Sequence, residues 1–289
     1  MNLELDVVVR CRNEMPWTRP MLSAMQRQRG VDAHIVFMDC GSTDGSRELA
    51  ADMGHRVEDV DPAKYVPGRV LNRGMRLTST PLVAFINADA IPLDDDAVMR
   101  LASPLLDDPA VAAAFARQVA RPGADPLVAL EYERAFGATS PVLARGTFFS
   151  MAASVIRRSV WESMPFDEAL RYSEDVDWTH RARALGSRIE YVPEARFEHS
   201  HDYDLAGQWK RRRGEGAADQ AIHRLGPPSP VRDFARPLAG AVLRDAFARI
   251  FSPRSLAVRT AQASGYFMGR LEASRAARRA TTEQAAGAR

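Results

Sequence analysis

The chain has 289 residues, of which 46% are hydrophobic and 26% are charged, and its formal net charge is +2. These values are ordinary for a soluble globular protein, and the length allows one large domain or one domain with an appendage. The sequence shows neither a basic-then-apolar leader nor an apolar run long enough to span a bilayer. Cys11 and Cys40 follow apolar runs and fit reduced thiols better than a disulfide framework or a metal site. We therefore expect a cytoplasmic protein.

Apolar runs and helical periodicity alternate through the first half of the chain. Strands are predicted at 5–9, 35–38, 56–60 and 83–86, and helices after Pro16, at 46–53 and at about 69–78. This alternation predicts a mainly parallel sheet with helices on both faces, whose polar loops meet at one edge. Open α/β sheets bind ligands at that edge, which indicates a nucleotide-binding half. The loop 41–45 matches neither the dinucleotide fingerprint nor the P-loop, so both classes are disfavoured.

The second half is less regular. Strands are predicted at 110–119, 147–151 and 188–192, and a further strand ends in the polar residues 197–203. Ser159 with Glu162 fits a capping box for a short helix, and another helix is predicted from 174 to about 185. From residue 231 onward the chain carries eleven arginines and four acidic residues, and it is predicted to form helices broken near Pro253. This charge asymmetry indicates a separate task for the tail.

A carboxylate and two imidazoles form the first polar cluster. Asp89 follows a buried strand, and His199 and His201 end a later strand with their side chains on one side. This mixed oxygen and nitrogen set suits Mg²⁺ or Mn²⁺, with substrate phosphates completing the shell. The alternative for each histidine is a satisfied side chain at a strand end.

Glu174 and Asp175 form the second cluster, in the first turn of a predicted helix. An acid near a helix N-terminus stays ionised and can accept a hydroxyl proton, so Asp175 is a candidate general base. The alternative is simply a favourable helix start. Adjacent carboxylates point differently and cannot flank one scissile bond, which argues against glycoside hydrolysis. Asp177 is expected to pair with Arg181 one turn on.

Arginines lie at loops or helix starts that face the nucleotide edge. As a set they suit a diphosphate or a base edge, although any one of them can be a solvated surface residue. The set consists of Arg10, Arg12, Arg69 and Arg73.

Eight short motifs then occur in an order that resembles the inverting glycosyltransferase family 2, and within it a bacterial subgroup often labelled rhamnosyltransferase-like. The resemblance runs from about residue 5 to 225. The motifs are VVVRCRNE (7–14), MDCGSTDG (38–45), GRVLNRG (68–74), NADA (87–90), RRSVWE (157–162), PFDE (165–168), EDVDW (174–178) and HSH (199–201).

The resemblance implies a GT-A fold, an α/β architecture with a mixed, mainly parallel sheet. It places Asp39 in the nucleotide loop, Asp89 at the metal and diphosphate carboxylate of the family's DxD motif, and Asp175 at the base with Glu174 beside it. Asn87 stands where that motif has its first aspartate, and His199 or His201 falls where relatives can supply a further metal ligand. The donor site is expected to include Arg10, Arg12, Glu14, Asp39, Arg69, Asn72 and Asn87, and the acceptor site Trp178 and Arg181.

The expected function is transfer of a sugar from a dTDP-, UDP- or GDP-linked donor to a hydroxyl of a glycan or lipid-linked acceptor, with inversion and with Mg²⁺ or Mn²⁺. A role in cell-surface polysaccharide or glycolipid synthesis follows from the resemblance, and no nucleic-acid partner is expected. Two alternatives stay open. One is a sugar-nucleotide pyrophosphorylase, which is weakened because this sequence has no Gly/Arg/Lys-rich N-terminal phosphate loop. The other is a catalytically silent nucleotide-binding partner protein.

Three segments are expected: a GT-A catalytic domain at 1–228, a helical extension at 229–279 and a disordered tail at 280–289. The extension has an apolar face with arginines between its members. Such a face most often packs on the main domain or on a second subunit, giving a homo-oligomer. The other interpretation is peripheral contact with anionic lipid at the inner face of the membrane, where clustered arginines beside apolar anchors are favourable.

Overall fold

A computed structural model of the chain describes residues 2–137 and 148–287, with side chains described as far as residue 279. Its strands are β1 (Leu3–Cys11), β2 (Val31–Asp39), β3 (Arg56–Asp59), β4 (Leu82–Asn87), β5 (Ile91–Pro92), β6 (Val111–Val119), β7 (Ala153–Arg157) and β8 (Arg188–Glu198). Its α-helices are α1 (Thr18–Gln26), α2 (Ser46–Asp52), α3 (Pro67–Leu77), α4 (Ala97–Asp107), α5 (Pro126–Phe136), α6 (Arg158–Ser163), α7 (Glu174–Ala184), α8 (Leu205–Ile222), α9 (Arg236–Phe247) and α10 (Pro253–Gly287).

The chain divides into two compact units. Unit 1 comprises Met1–Ala124, Val128–Ala169 and Glu174–Ser200, and unit 2 comprises Asp125–Leu127, Leu170–Ser173 and His201–Arg289. The boundary predicted at residue 228 stays a prediction, as does the disorder predicted for 280–289. Within the described residues, no helix combines the length and the apolar character needed to cross a membrane.

Unit 1 is built on one eight-stranded sheet with the order β3-β2-β1-β4-β7-β6-β8-β5. The four neighbouring strands β3, β2, β1 and β4 pair in parallel, and so do β6 and β8. Strands β7 and β5 run in the opposite direction. Apolar layers cover both faces, because β1 sends Val7 and Val9 to one core and Val8 to the other. The predicted α/β class with a mixed, mainly parallel sheet is confirmed.

Three local predictions for the second half are wrong. Residues 148–151 of the segment 147–151 form no strand, and the strand in this part of the chain is β7, at Ala153–Arg157. Thr147 is outside the described residues, and Phe148 and Phe149 are apolar because they pack edge-on against Phe115, not because they form a strand. The two strands expected after residue 188 are one strand, β8, whose pairing shifts next to Pro193 because proline cannot donate to the ladder.

The third correction concerns α6. It begins at Arg158, its N-cap is Arg157, and no side chain caps it, so Ser159 lies inside the first turn and forms no capping box.

Unit 2 is helical, and α8 was not predicted. The chain breaks between α9 and α10 at Pro253, as predicted. Glycines allow α8 and α10 to approach closely, because a Cβ added at Gly216, Gly265 or Gly269 would overlap backbone atoms of the facing helix. Asp245 of α9 is fully buried and accepts two hydrogen bonds from Arg259 of α10, at 2.9 and 2.8 Å. This bidentate pair ties α9 to α10.

Two residues predicted for substrate binding belong to the core of unit 1. The amide of Asn72 is buried and fully used: Nδ2 donates to Phe166 O and Glu168 Oε1, each at 3.0 Å, while Oδ1 accepts from Trp161 Nε1 and Phe166 N. This arrangement seats α3 in the core and gives Asn72 a structural role, and its predicted donor contact stays a prediction.

Trp178 likewise lies in the core, and its predicted acceptor contact stays a prediction. It is fully buried, its Nε1 donates to Met164 O at 2.7 Å, and its ring packs against Phe166.

Replacing Asn72 by alanine is expected to lower the free energy of unfolding of unit 1 by about 2–4 kcal/mol, because it leaves the buried donors of Trp161 and Phe166 without an acceptor. Urea unfolding followed by tryptophan fluorescence measures this change. Arg69→Ala on the same helix is the control: Arg69 is exposed, and we expect a change of roughly 0.5 kcal/mol or less. Equal effects of the two substitutions would contradict the structural role of Asn72.

Candidate active site

The polar residues of interest lie at one edge of the unit 1 sheet. Strands β1, β2, β4, β6 and β8 run in the same direction, and the antiparallel β7 begins where they end. Asp39, Asp89 and His199 therefore come together at the carboxyl ends of their strands, as predicted for a ligand-binding edge.

Asp39 ends β2 and is 2% exposed. Its Oδ2 accepts hydrogen bonds from the backbone N–H groups of Gly41 and Ser42, both at 3.0 Å, whereas its Oδ1 is buried without a hydrogen-bond partner in the described part of the chain. Gly41 permits this turn through a φ of +82° and close approach to Pro62. A buried carboxylate oxygen without a donor is costly, so the site is suited to a ligand that brings an N–H or O–H group.

Asp89 and His199 face each other. The Nε2 atom of His199 lies 3.4 Å from Asp89 Oδ1, and both residues are buried. His201, two residues further along, is partly exposed, and one ligand atom from each of these three residues lies within 4.8 Å of the others. The predicted side-by-side placement on a strand is wrong, because β8 ends at Glu198 and the histidines follow it.

Hydrogen bonds orient the ring of His199. Gln118 Nε2 donates to Ser150 Oγ at 2.7 Å, which turns Gln118 Oε1 toward His199 Nδ1 at 2.8 Å. A neutral ring that donates from Nδ1 presents the lone pair of Nε2 toward Asp89. Two electron-rich atoms facing each other fit a cation between them, and an oriented histidine with a fixed outer partner is typical of metal sites. The donor set therefore fits Mg²⁺ or, with its imidazoles, Mn²⁺.

Arg121 is a residue of this site that the sequence did not reveal. Its Nη2 donates to the backbone O and to Oδ2 of Asp89, at 2.6 and 3.0 Å, and its Nη1 donates to Ser200 O. The guanidinium stacks over the ring of Trp17 at 4.1 Å. Arg121 thus engages one oxygen of Asp89 and leaves the other facing His199.

Glu14, predicted in the donor site, is close enough to these groups to feel their charge. Burial, followed by the charge of Asp89, raises the pKa of Glu14 to about 7, and Arg121 opposes this rise. A cation bound beside Asp89 would favour the ionised form of Glu14.

Glu174 and Asp175 open α7, as predicted. Glu174 is buried, while Asp175 is partly exposed and accepts from Met151 N at 3.2 Å and Val176 N at 2.8 Å. Burial and then the neighbouring Asp175 charge raise the pKa of Glu174 to about 7, and burial also raises the pKa of Asp175. Of the two carboxylates, Asp175 is therefore the one that is accessible to a substrate, and its raised pKa gives it a stronger affinity for a proton than an ordinary aspartate has.

Arg10 lies deeper than predicted. Its Nη1 donates to Glu174 Oε1 and its Nη2 to Asn87 Oδ1, both at 3.2 Å. Arg10 thus bridges two predicted site residues, and its predicted contact with a diphosphate or base edge stays a prediction.

The remaining predicted residues lie nearer the surface. Arg12 is exposed, Arg69 lies 3.5 Å from Glu168, and the guanidinium of Arg73 donates to Glu58 Oε2 at 2.6 Å. Arg181 pairs with Asp177 at 2.7 Å, which confirms the predicted pair. Donor contacts for Arg12 and Arg69 and an acceptor contact for Arg181 stay predictions.

Two curated relatives come from Salmonella, and both are named O-antigen chain rhamnosyltransferases. WbaN of Salmonella anatum is 26% identical over 199 residues, which is 65% of this chain and 63% of WbaN. RfbN of Salmonella typhimurium is 26% identical over 205 residues, which is 66% of this chain and 64% of RfbN. The chain thus spans slightly less than two thirds of the length of these relatives.

Solved structures share the fold. The mannosyltransferase PcManGT from Pyrobaculum calidifontis, in complex with GDP-Man and Mn²⁺, has a TM-score of 0.66 at 17% identity, over 94% of this chain and 87% of that chain. Glucosyl-3-phosphoglycerate synthase from Mycobacterium tuberculosis, in complex with Mn²⁺, UDP and phosphoglyceric acid, has a TM-score of 0.57 at 21% identity, over 78% of this chain and 80% of that chain.

The family itself is established by the sequence profile described as glycosyl transferase family 2, which matches residues 6–162. This stretch is more than half of the chain, and it contains most of β1 and all of β2 to β7, together with Asp39, Asp89 and Arg121. The family predicted from the eight motifs is confirmed, and the chain belongs to glycosyl transferase family 2.

Proposed function

We propose that this protein is an inverting glycosyltransferase that moves a sugar from a nucleoside-diphosphate donor to an acceptor hydroxyl in the synthesis of a cell-surface polysaccharide or glycolipid. The observation that carries this proposal is the juxtaposition, at one sheet edge, of a carboxylate suited to a nucleotide, a cation site and a candidate base. Family membership and the names of the two Salmonella relatives support it.

In the proposed reaction, the acceptor hydroxyl oxygen forms a bond to the anomeric carbon while the bond from that carbon to the diphosphate oxygen breaks. Asp175 accepts the hydroxyl proton, and the nucleoside diphosphate leaves. Met151 N–H and Val176 N–H hold the Asp175 carboxylate in a fixed orientation, which limits the cost of positioning it. A divalent cation held by Asp89, His199 and His201 would neutralise the charge of the departing diphosphate.

The donor sugar is best sought with a rhamnosyl nucleotide first, because both Salmonella relatives are named rhamnosyltransferases. GDP-Man and UDP are present in structural neighbours, so GDP- and UDP-linked sugars belong in the same screen as dTDP-linked ones. Hydrolysis of a donor in the presence of Mn²⁺ supports a transferase. Pyrophosphate-dependent release of nucleoside triphosphate would favour the pyrophosphorylase. Nucleotide binding without turnover would favour the silent partner protein.

Replacing Asp175 by asparagine is expected to reduce transfer by about a hundredfold or more, the usual scale for a positioned base, while the donor still binds. Initial rates with a productive donor and isothermal titration of the nucleotide measure the two effects. Asp177→Asn on the same helix is the matched control, since Asp177 pairs with Arg181. An Asp175→Asn protein with near wild-type turnover would refute the assignment.

Metal binding is expected to be weak without nucleotide and strong with it, because Asp89 is the only carboxylate in the candidate ligand set. Asp89→Ala should abolish Mn²⁺ binding and weaken nucleotide diphosphate binding. Gln118→Ala should weaken Mn²⁺ binding by about 10–100-fold, because it removes the partner that orients His199.

Titration of Mn²⁺ by electron paramagnetic resonance measures both affinities. Asp94→Ala is the control, since Asp94 pairs with Arg196 on the surface. Tight Mn²⁺ binding to the nucleotide-free protein, unchanged in Asp89→Ala, would place the metal elsewhere.

We further propose that unit 2 carries the predicted contact with anionic lipid. Apolar side chains are exposed around the junction of α9 and α10, namely Leu243, Phe247, Phe251 and Leu256, with Phe247 86% exposed. Arg249 and Arg254 are exposed beside them. Apolar anchors flanked by arginine suit an anionic membrane surface, where each charge contributes about 1 kcal/mol.

The double substitution Phe247→Ser and Phe251→Ser is expected to abolish salt-sensitive binding to liposomes that contain phosphatidylglycerol. It is preferable to deletion from residue 231, because deletion removes α10 and exposes the face of α8 that packs on it. The control in a sedimentation assay is Leu185→Ser, which replaces an exposed apolar side chain of unit 1. Leu185 is 74% exposed. Absence of wild-type binding at low salt would contradict the proposal. The proposal would also be contradicted if the wild-type protein were a dimer and the double substitution dissociated it, because the exposed apolar surface would then be a subunit interface.

A further inference from the structure

Arg10 connects the end of β4 to the candidate base. The parallel register of β1 and β4 sets Arg10 opposite Asn87, and the Arg10 side chain crosses to Glu174 at the start of α7. The ion pair is well shielded, with side-chain exposures of 17% for Arg10 and 9% for Glu174. One guanidinium is thus shared between a neutral amide and a carboxylate.

We propose that Arg10 is the residue that positions the Glu174–Asp175 pair, and that Asn87 serves as a neutral acceptor that keeps the guanidinium directed at Glu174. The inference rests on the proposed function, in which Asp175 is the base. It gives position 87 a role that does not involve coordinating a metal.

The neutrality of Asn87 is what matters in this arrangement. A carboxylate at the same place would form an ion pair with Arg10, which is stronger than the present hydrogen bond from the guanidinium to a neutral amide oxygen. It would therefore compete with Glu174 for the same guanidinium. It would also bring a third negative charge to a buried region that already contains Glu174 and Asp175.

The groups around Arg10 come from four elements. Tyr65 lies ahead of α3, Cys40 follows β2, and Glu174 and Asp175 open α7, while Asn87 ends β4. Arg10 is the cation that lowers the proton affinity of both carboxyls of the pair, against burial and their mutual repulsion. If the guanidinium turns toward residue 87, both pKa values rise and a smaller fraction of Asp175 is ionised at neutral pH.

Asn87→Asp therefore tests the inference, because it replaces an amide by a carboxylate of the same shape. We expect the rate constant for transfer at neutral pH to fall by up to about tenfold, the limit for a base whose pKa rises by about one. The acid limb of the pH–rate profile should move to higher pH, while the KM for the donor changes little. Asn87→Ala removes the acceptor without adding charge and should lose less activity, with a smaller shift of its acid limb.

Three results would overturn the inference. The first is an Asn87→Asp enzyme that is as active as wild type or more active, with tighter Mn²⁺ binding, which would make position 87 a metal position. The second is an equal loss in Asn87→Asp and Asn87→Ala with an unmoved acid limb, which would show that the charge is irrelevant. The third is an Arg10→Met enzyme with the wild-type pH profile.

A measurement without substrate separates this inference from the proposed function. The Glu174 carboxyl can be titrated by carbon-13 NMR in wild type, Asn87→Asp and Arg10→Met. We expect its pKa to rise in both variants, whether or not a donor has been found. An unchanged Glu174 pKa contradicts the role of Arg10, whereas a risen pKa in a protein that turns over no nucleotide sugar contradicts only the proposed function.

Discussion

The parallel register of the unit 1 sheet is the constraint on which the candidate site depends. It sets Cys11 opposite Asp39 and Arg10 opposite Asn87, so that strands distant in sequence end at the same level. β8 runs in the same direction, and His199 therefore follows at the same edge. A shift of one residue would turn each of these side chains to the other face of the sheet, so the apolar packing that fixes the register also fixes the site.

Burial of charge is the second constraint, and the site meets it by pairing each carboxylate with a fixed partner. Arg121 engages Asp89, Arg10 engages Glu174, and backbone N–H groups hold Asp39 and Asp175. These partners compensate only part of the desolvation cost, which is why the pKa values of Glu174 and Asp175 stay raised. Carboxylates whose charge is only partly compensated can bind further cations or protons, such as those that a transfer reaction brings.

The sequence predicted those parts of the structure whose signals are local. An apolar run followed by an acid identified Asp39 and Asp89, and two acids at a helix start identified Glu174 and Asp175, since strand ends and helix caps are encoded within a few residues. Arg121 was missed because a lone arginine before a proline resembles any surface loop. Motif membership does not separate a residue that contacts substrate from one that supports the site, and only the structure shows that Asn72 and Trp178 form hydrogen bonds within the core. The helix α8 was missed because its apolar face is weak and glycines carry its packing against α10.

In the proposed metal site, Arg121 holds Asp89, the one carboxylate present where the family's motif has two. A mobile aspartate loses side-chain freedom when it binds a cation, and a second acid in a motif normally offsets part of that loss. Here Asp89 is held before any cation binds, because Arg121 grips its Oδ2 and its backbone oxygen. The guanidinium is itself held by Ser200 and by stacking on Trp17. Asp89 Oδ1 is thereby directed at His199, whose ring is fixed by Gln118. In the proposed metal site, this preorganisation would offset part of the missing charge of a second carboxylate at position 87, where Asn87 instead accepts a hydrogen bond from Arg10.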